Sequence, residues 1–101
     1  MPTGDLVDPA IHAATRIRRG SGVVTAEVDG EVVMMSVEQG LYYGLDDIGS
    51  DIWRRLEQPV EVGVLLDALS ESYDADRSTI ERDTLKLLDQ LLQQRVIEVV
   101  P

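Results

Sequence analysis

The sequence predicts an α+β domain in which a three-stranded antiparallel sheet is followed by three helices. Three observations carry this expectation. Apolar residues alternate from Val23 to Leu45, which is the period of strands. From Ile48 onward they recur every three or four residues, which is the period of helices. Asp29-Gly30 and Gly40 stand where the alternating chain must double back, and both supply residues that tolerate the turn geometry. The change of period falls within Leu41 to Trp53, a stretch that also holds three of the four aromatic residues.

Composition bounds what such a domain can be. A chain of 101 residues suffices for one core. No apolar run reaches the roughly 20 residues that span a bilayer, and the N-terminus lacks the basic and apolar regions of a signal peptide. A soluble, cytoplasmic protein with no membrane contact is therefore expected. The absence of cysteine excludes disulfides, thiolate catalysis and thiolate metal sites, and the absence of phenylalanine leaves Leu, Val and Ile to build the core. A formal net charge of -10 disfavours a nucleic-acid partner, because phosphate binding needs clustered Lys and Arg. It suits a basic protein or peptide, although acidic charge is also a general solubility device.

Residues 1–22 read as a flexible N-terminal arm, with Pro2, Gly4 and Pro9, the only histidine, His12, and no sustained periodicity. The arginines at 16, 18 and 19 read as solvated or as a docking patch beside the Gly20-Ser21-Gly22 break. Residues 23–101 form the folded domain. The first strand runs from Val23 to Val28 with one wetter face. The second, Glu31 to Val37, is apolar on both faces through Val32-Val33-Met34-Met35, as suits a central strand. The third, Leu41 to Leu45, ends the meander and is an edge. It contains no charge and no proline, the usual devices for blunting an edge. Either another segment covers it, for example Val96 to Val100, or it is kept open for an incoming strand; pattern alone slightly favours the cover.

The first helix opens at Asp46-Asp47, whose carboxylates suit the free N–H groups and dipole of a first turn. It turns Ile48, Ile52 and Leu56 to the core beside Trp53. The second helix, about Glu61 to Tyr73, carries Val62, Leu65, Leu66 and Leu69 on one stripe. The third is expected from Ser78 to about Arg95, opened by a capping box of Ser78 and Glu81. Its apolar residues spread over roughly 160°, wider than one core contact requires. Ile80, Leu87, Leu88 and Leu91 make the core set, and Leu85 and Leu92 form a flank with Asp89 and Val96 beyond. That flank is either buried from a second side or is the wall of a groove.

Residues for catalysis are scarce. His12 stands alone in the arm, the Asp46-Asp47-Asp51 cluster is explained by helix capping and a solvent face, and Gly20-Ser21-Gly22 precedes a strand rather than a helix. No metal-ligand spacing or phosphate loop is present. No cofactor and no catalytic residue are assigned, and an enzyme acting alone is not expected.

The segment Glu31-Val32-Val33-Met34-Met35, followed by Gly40-Leu41-Tyr42-Tyr43-Gly44-Leu45-Asp46-Asp47-Ile48-Gly49-Ser50-Asp51-Ile52-Trp53, resembles the signature of the PqqD-like family. This family includes the small protein of pyrroloquinoline quinone synthesis and the precursor-peptide recognition elements of ribosomal peptide biosynthesis. The resemblance extends over roughly Val23 to Val100. Asp46 stands where Asn is commoner, and Arg95-Val96-Ile97 stands where many relatives have a glycine before the last apolar residues.

The resemblance implies a winged helix-turn-helix-like domain that binds the leader segment of a precursor peptide. The leader would add as an antiparallel strand to the third strand and pack on the third helix, a mode in which backbone bonds give affinity and side-chain pockets give specificity. Carried onto this sequence, the peptide-binding residues are Met35, Leu41, Tyr42, Tyr43, Gly44, Leu45, Leu85, Leu88, Asp89, Leu92 and Val96. The chain looks most like the free-standing elements of lasso peptide pathways, whose partners are a leader peptidase and a cyclase. The alternative within the class is a chaperone for a radical enzyme, as in quinone cofactor synthesis. From another class, a helix-turn-helix transcription regulator is disfavoured by the charge of the third helix, and homodimerisation through the strand edge stays open.

Overall fold

The computed structural model describes residues 11–37 and 40–101. The expected meander is present. Strand β2 (Val23–Val28) pairs with β3 (Glu31–Ser36), which pairs with β4 (Leu41–Gly44), all antiparallel and in that spatial order. Asp29 and Gly30 take φ of 54° and 84°, the left-handed pair that a two-residue hairpin turn needs. Val24 lies opposite Met35, Met35 opposite Tyr42, and Met34 opposite Tyr43. This register turns Val32 and Met34 into the core and leaves Met35 on the outer face.

Helix α1 (Asp47–Arg55) follows directly, then β5 (Val60–Glu61), α2 (Val62–Ser72), α3 (Arg77–Gln93) and β6 (Ile97–Val99). Asp46 caps α1 as expected, its Oδ1 accepting the Gly49 N–H at 2.8 Å. Ile52 and Trp53 from α1, Leu56 at its C-cap, Leu65, Leu66 and Leu69 from α2, and Leu88 and Leu91 from α3 bury into one core with Val32 and Met34. A fully buried aliphatic side chain of this kind contributes about 1.5–3 kcal/mol.

A second sheet, ordered β5, β1 (Arg16–Arg19) and β6, was not legible in the periodicity. Its central strand is β1, a segment assigned above to the arm. The strand carries one apolar side chain, Ile17, which is fully buried and lies across from Val60 on one side and Val99 on the other. Two of the arginines around it have partners. Arg18 pairs with Glu98 across the sheet, and Arg19 lies 4.6 Å over the Trp53 ring while its Nη2 donates to the Trp53 carbonyl at 2.7 Å. That bond satisfies a carbonyl of the last turn of α1 with a cation, the sign the helix C-terminus favours. Residues 1–10 of the expected arm lie outside the described residues.

Three further expectations are corrected. Ile48 is 48% exposed, because the first turn of α1 overhangs the end of β4 before the helix meets the core. The third helix starts at Arg77 with Asp76 as its N-cap residue and no side-chain capping bond, so Ser78 lies inside the helix and the capping box does not form. Asp51 is not turned to solvent but accepts from Tyr73 Oη at 2.8 Å and from Arg55 Nε at 3.1 Å, tying α1 to the end of α2. The bond to this carboxylate holds the Tyr73 phenol above its usual pKa.

The end of α3 decides what becomes of the β4 edge. Arg95 takes φ of 64°, its N–H donates to the Leu92 carbonyl, and the Val96 N–H donates to the Leu91 carbonyl at 3.0 Å. These are the two bonds of a Schellman stop. The reversal drops Val96 into the core, sets its carbonyl 2.8 Å from the Gly20 N–H, and sends Ile97–Val99 to pair with β1. A Cβ on Gly20 would lie 2.7 Å from the Arg95 carbonyl oxygen, so only glycine permits this approach. The segment that pattern favoured as a cover for β4 is therefore committed elsewhere.

Candidate functional site

Among the described residues no strand pairs with the outer edge of β4, and register specifies which backbone groups it offers. The Leu45 N–H donates to Val32, so in the alternating antiparallel ladder Leu41, Tyr43 and Leu45 turn their backbone groups toward β3. Tyr42 and Gly44 turn theirs outward. Their side-chain positions alternate too. Tyr42 stands on the outer face, 72% exposed, while Tyr43 points toward α3 and donates from its hydroxyl to Gln94 Oε1 at 2.8 Å.

The surface beside α3 is concave at two places, one against the end of β4 and one against Ser21, Gly22 and Ser36. One cavity of about 400 Å³ joins Leu45 and Ile48 to Asp83, Thr84 and Leu87 of α3. The other, about 360 Å³, joins Ser36 to Leu92, Arg95 and Glu98. The first is apolar with an acidic rim and the second mixes one apolar wall with an ion of each sign. The start of α3 thus lies by the end of β4 and its C-terminus by the start of β4. A strand added antiparallel to β4 would run alongside α3 in the same direction as the helix.

The residues assigned from sequence divide accordingly. Tyr42, Tyr43 and Gly44 lie on the edge strand, with Leu41 at its start. Leu92 lines the second cavity, and Leu85 and Asp89 are half-buried on α3. Leu88 and Val96 are fully buried in the core and Leu45 nearly so; they back the groove more than they line it. Met35 lies on the opposite face of the sheet from α3, beside Tyr42. Sequence reasoning missed Gln94, Arg95, Leu87 and Ile48. Leu87 and Ile48 fitted core stripes by spacing, and nothing in the sequence reports that Gln94 would meet Tyr43 across 51 positions.

Arg95 occupies a backbone conformation that costs an L-residue roughly 1 kcal/mol relative to glycine. Arg95→Gly is expected to raise stability by about that amount in urea unfolding. If the guanidinium also contacts a ligand in the cavity it lines, the same change will weaken binding, so the two measurements move in opposite directions.

His12 is exposed, with Nδ1 accepting from the Ala14 N–H inside a local turn. Among the described residues no group of three His, Cys, Asp or Glu is placed to hold a metal ion.

The model of coenzyme PQQ synthesis protein D, PqqD, matches residues 31–97, which spans β3, β4, α1, α2, α3 and the start of β6. The chain belongs to the PqqD family. Among solved structures, it is similar to TbiB1 in complex with the TbiA(beta) leader peptide, at 37% identity and a TM-score of 0.75, covering 80% of this chain and 94% of that one. A lasso peptide synthetase B1 complexed with its leader peptide shares the fold, at 24% identity and a TM-score of 0.66, over 84% of this chain and 98% of that one. No curated protein matches the chain. The PqqD-family match begins at Glu31 and so leaves out β1 and β2, the two strands that complete the sheets on either side.

Proposed function

We propose that this PqqD-family protein is a non-catalytic recognition element that binds the leader segment of a ribosomally made precursor peptide and presents it to tailoring enzymes. The observation that carries the reading is the similarity to leader-bound TbiB1 over 80% of the chain, combined with an edge strand whose outward groups are left to a partner. The leader adds to β4 as an antiparallel strand, bonding to the backbone of Tyr42 and Gly44. Its alternate side chains enter the two cavities along α3, first the apolar one at Ile48 and Leu87, then the one at Leu92 and Arg95. Tyr43, Leu85, Leu92 and Asp89 border that path, the backbone of Leu41 ends it, Leu45, Leu88 and Val96 shape its floor, and Met35 and Tyr42 flank its outer side. The enzymes served are the leader peptidase and cyclase of a lasso peptide pathway, acting in the cytoplasm. No described helix is long and apolar enough to cross a membrane.

A fluorescently labelled leader titrated with the protein and followed by anisotropy tests this directly; saturable binding is the expected result, and its absence defeats the proposal. Leu92→Asp locates the site. Leu92 is half-buried and borders a cavity, so a carboxylate there opposes an apolar leader side chain without entering the core. Leader affinity should fall more than tenfold, about 1.4 kcal/mol or more, with the far-UV spectrum and cooperative melt retained. Global unfolding would instead make Leu92 a core residue and move the groove.

A further inference from the structure

The last helix stops on an arginine held in a backbone conformation suited to glycine. Arg95 has φ of 64°, and its carbonyl oxygen packs so closely on Gly20 that a Cβ there would stand 2.7 Å away. A non-glycine residue persists in the left-handed region only where the structure around it fixes the backbone, and such residues cluster at ligand clamps and switch regions. Packing does not account for this side chain. It is exposed and lines the cavity of about 360 Å³ that Ser36, Leu92 and Glu98 also line. Arg18, Arg19, Arg54, Arg55, Arg77 and Arg82 each donate to a carboxylate or a backbone carbonyl. The Arg95 guanidinium has no such partner among the described residues. Glu98 in the same cavity is paired with Arg18 at 3.1 Å, and Asp89 on α3 accepts from the Gln93 amide at 3.0 Å. Arg16 is likewise unpaired among the described residues, but it stands in extended β1 backbone that any residue adopts.

We infer that Arg95 is a specificity residue of the groove, whose guanidinium binds the carboxylate of an Asp or Glu in the leader, C-terminal to the segment that pairs with β4. The inference rests on the leader-binding reading above. Position supports it first. Arg95 follows Gln94, whose Oε1 accepts from the Tyr43 hydroxyl, so it stands one residue beyond the point where α3 meets the edge strand. Leu41, where β4 starts, lies opposite Ser36 in the cavity wall. A peptide antiparallel to β4 passes Gly44 first and leaves past Leu41, which brings the residues after the paired segment to Arg95. Chemistry supports it next. A guanidinium presents a planar fork of donors that matches a carboxylate, and a backbone already fixed by the helix stop loses less freedom when the pair forms. Charge completes the argument. On a chain of net charge -10, an exposed cation without an internal partner is a place to which an acidic side chain is drawn. The same pair selects direction. A parallel strand would carry the leader carboxylate to the rim of Asp46 and Asp83, of which only Asp83 has a cation partner among the described residues, Arg82 at 3.4 Å.

The test titrates the labelled leader with the full chain and its Arg95 variants, at low and high salt, and follows each variant separately in urea. Arg95→Gly should weaken leader binding about fivefold or more at low salt, with the difference shrinking as salt rises. Its urea midpoint should not fall. Arg95→Lys should stay within about threefold of the unaltered chain, and Arg95→Glu should bind more weakly than Arg95→Gly. Acidic leader residues C-terminal to the paired segment are then changed to Lys one at a time. One of these leaders should bind Arg95→Glu at least fivefold more tightly than it binds the unaltered chain, a reversal that only a direct contact produces. Equal affinity of the unaltered chain and Arg95→Gly for the leader overturns the inference while the leader-binding reading stands. So does a set of leader variants of which none is rescued by Arg95→Glu, since the cation then acts without a carboxylate partner in the leader. Loss of stability in Arg95→Gly overturns it as well, because the guanidinium then holds the fold. No saturable binding of leader to the unaltered chain is a different result, and defeats the leader-binding reading itself.

Discussion

Tyr42→Pro is expected to weaken leader binding by about thirtyfold or more, on the order of 2 kcal/mol, while shifting the melting temperature by only a few degrees. The asymmetry follows from register. The Tyr42 N–H points away from β3, so proline there removes no ladder bond, and proline is tolerated in strands at such edge positions. What it removes is a donor offered to an incoming strand, and its ring occupies the space that strand would enter. Loss of one backbone bond accounts for about 1 kcal/mol, and displacement of the leader from its ladder geometry for the rest. The phenol is lost as well, so Tyr42→Ala is the matched control and should bind much more tightly than the proline variant. Equal affinity for leader in the proline variant and in the unaltered protein would mean that the peptide does not add to β4.

The meander was legible because its strands alternate cleanly and its turn carries Asp29-Gly30, whose φ values match the demand of the hairpin. The three helices were legible through leucine spacing. The second sheet was hidden for a physical reason: β1 buries only Ile17, and its arginines are held by partners remote in sequence, Glu98 and the Trp53 carbonyl. Local pattern cannot report pairing across 80 positions. The same limit applied to the open edge. Whether Val96 to Val100 covers β4 depends on the direction in which α3 ends, and that direction is set by one left-handed residue, Arg95, where glycine would have signalled a stop. Of the groove, the strand and the flank at Leu92 could be read from sequence. Its ends could not, because Ile48 and Leu87 sit on helical stripes at core spacing and differ from core residues only in what the neighbouring elements leave uncovered.

Ser50→Ala is expected to cost about 2–3 kcal/mol, more than a typical serine substitution, because Ser50 joins the sheet to α1. Its hydroxyl accepts the Val32 N–H at 2.8 Å and donates to the Leu45 carbonyl at 3.2 Å. In an undisturbed ladder those two groups would bond to each other; here the hydroxyl stands between them, spreads the strands, and lets the chain leave β4 into the helix capped by Asp46. Ser50 is fully buried, so water cannot replace the hydroxyl without opening the core, and alanine leaves a buried donor and a buried acceptor unpaired. Ser70 provides the contrast within the same domain, since its buried Oγ has no partner among the described residues and Ser70→Ala should be neutral or slightly stabilising. In urea unfolding the two variants should separate by at least 2 kcal/mol, which for a domain of this size is roughly 10 °C in Tm. Leader affinity should fall with Ser50→Ala as well, since the end of β4 that frays is the end that offers the Gly44 backbone. A Ser50→Ala protein as stable as the unaltered chain would mean that Val32 and Leu45 close their own bond, and that the joint between strand and helix does not depend on the serine.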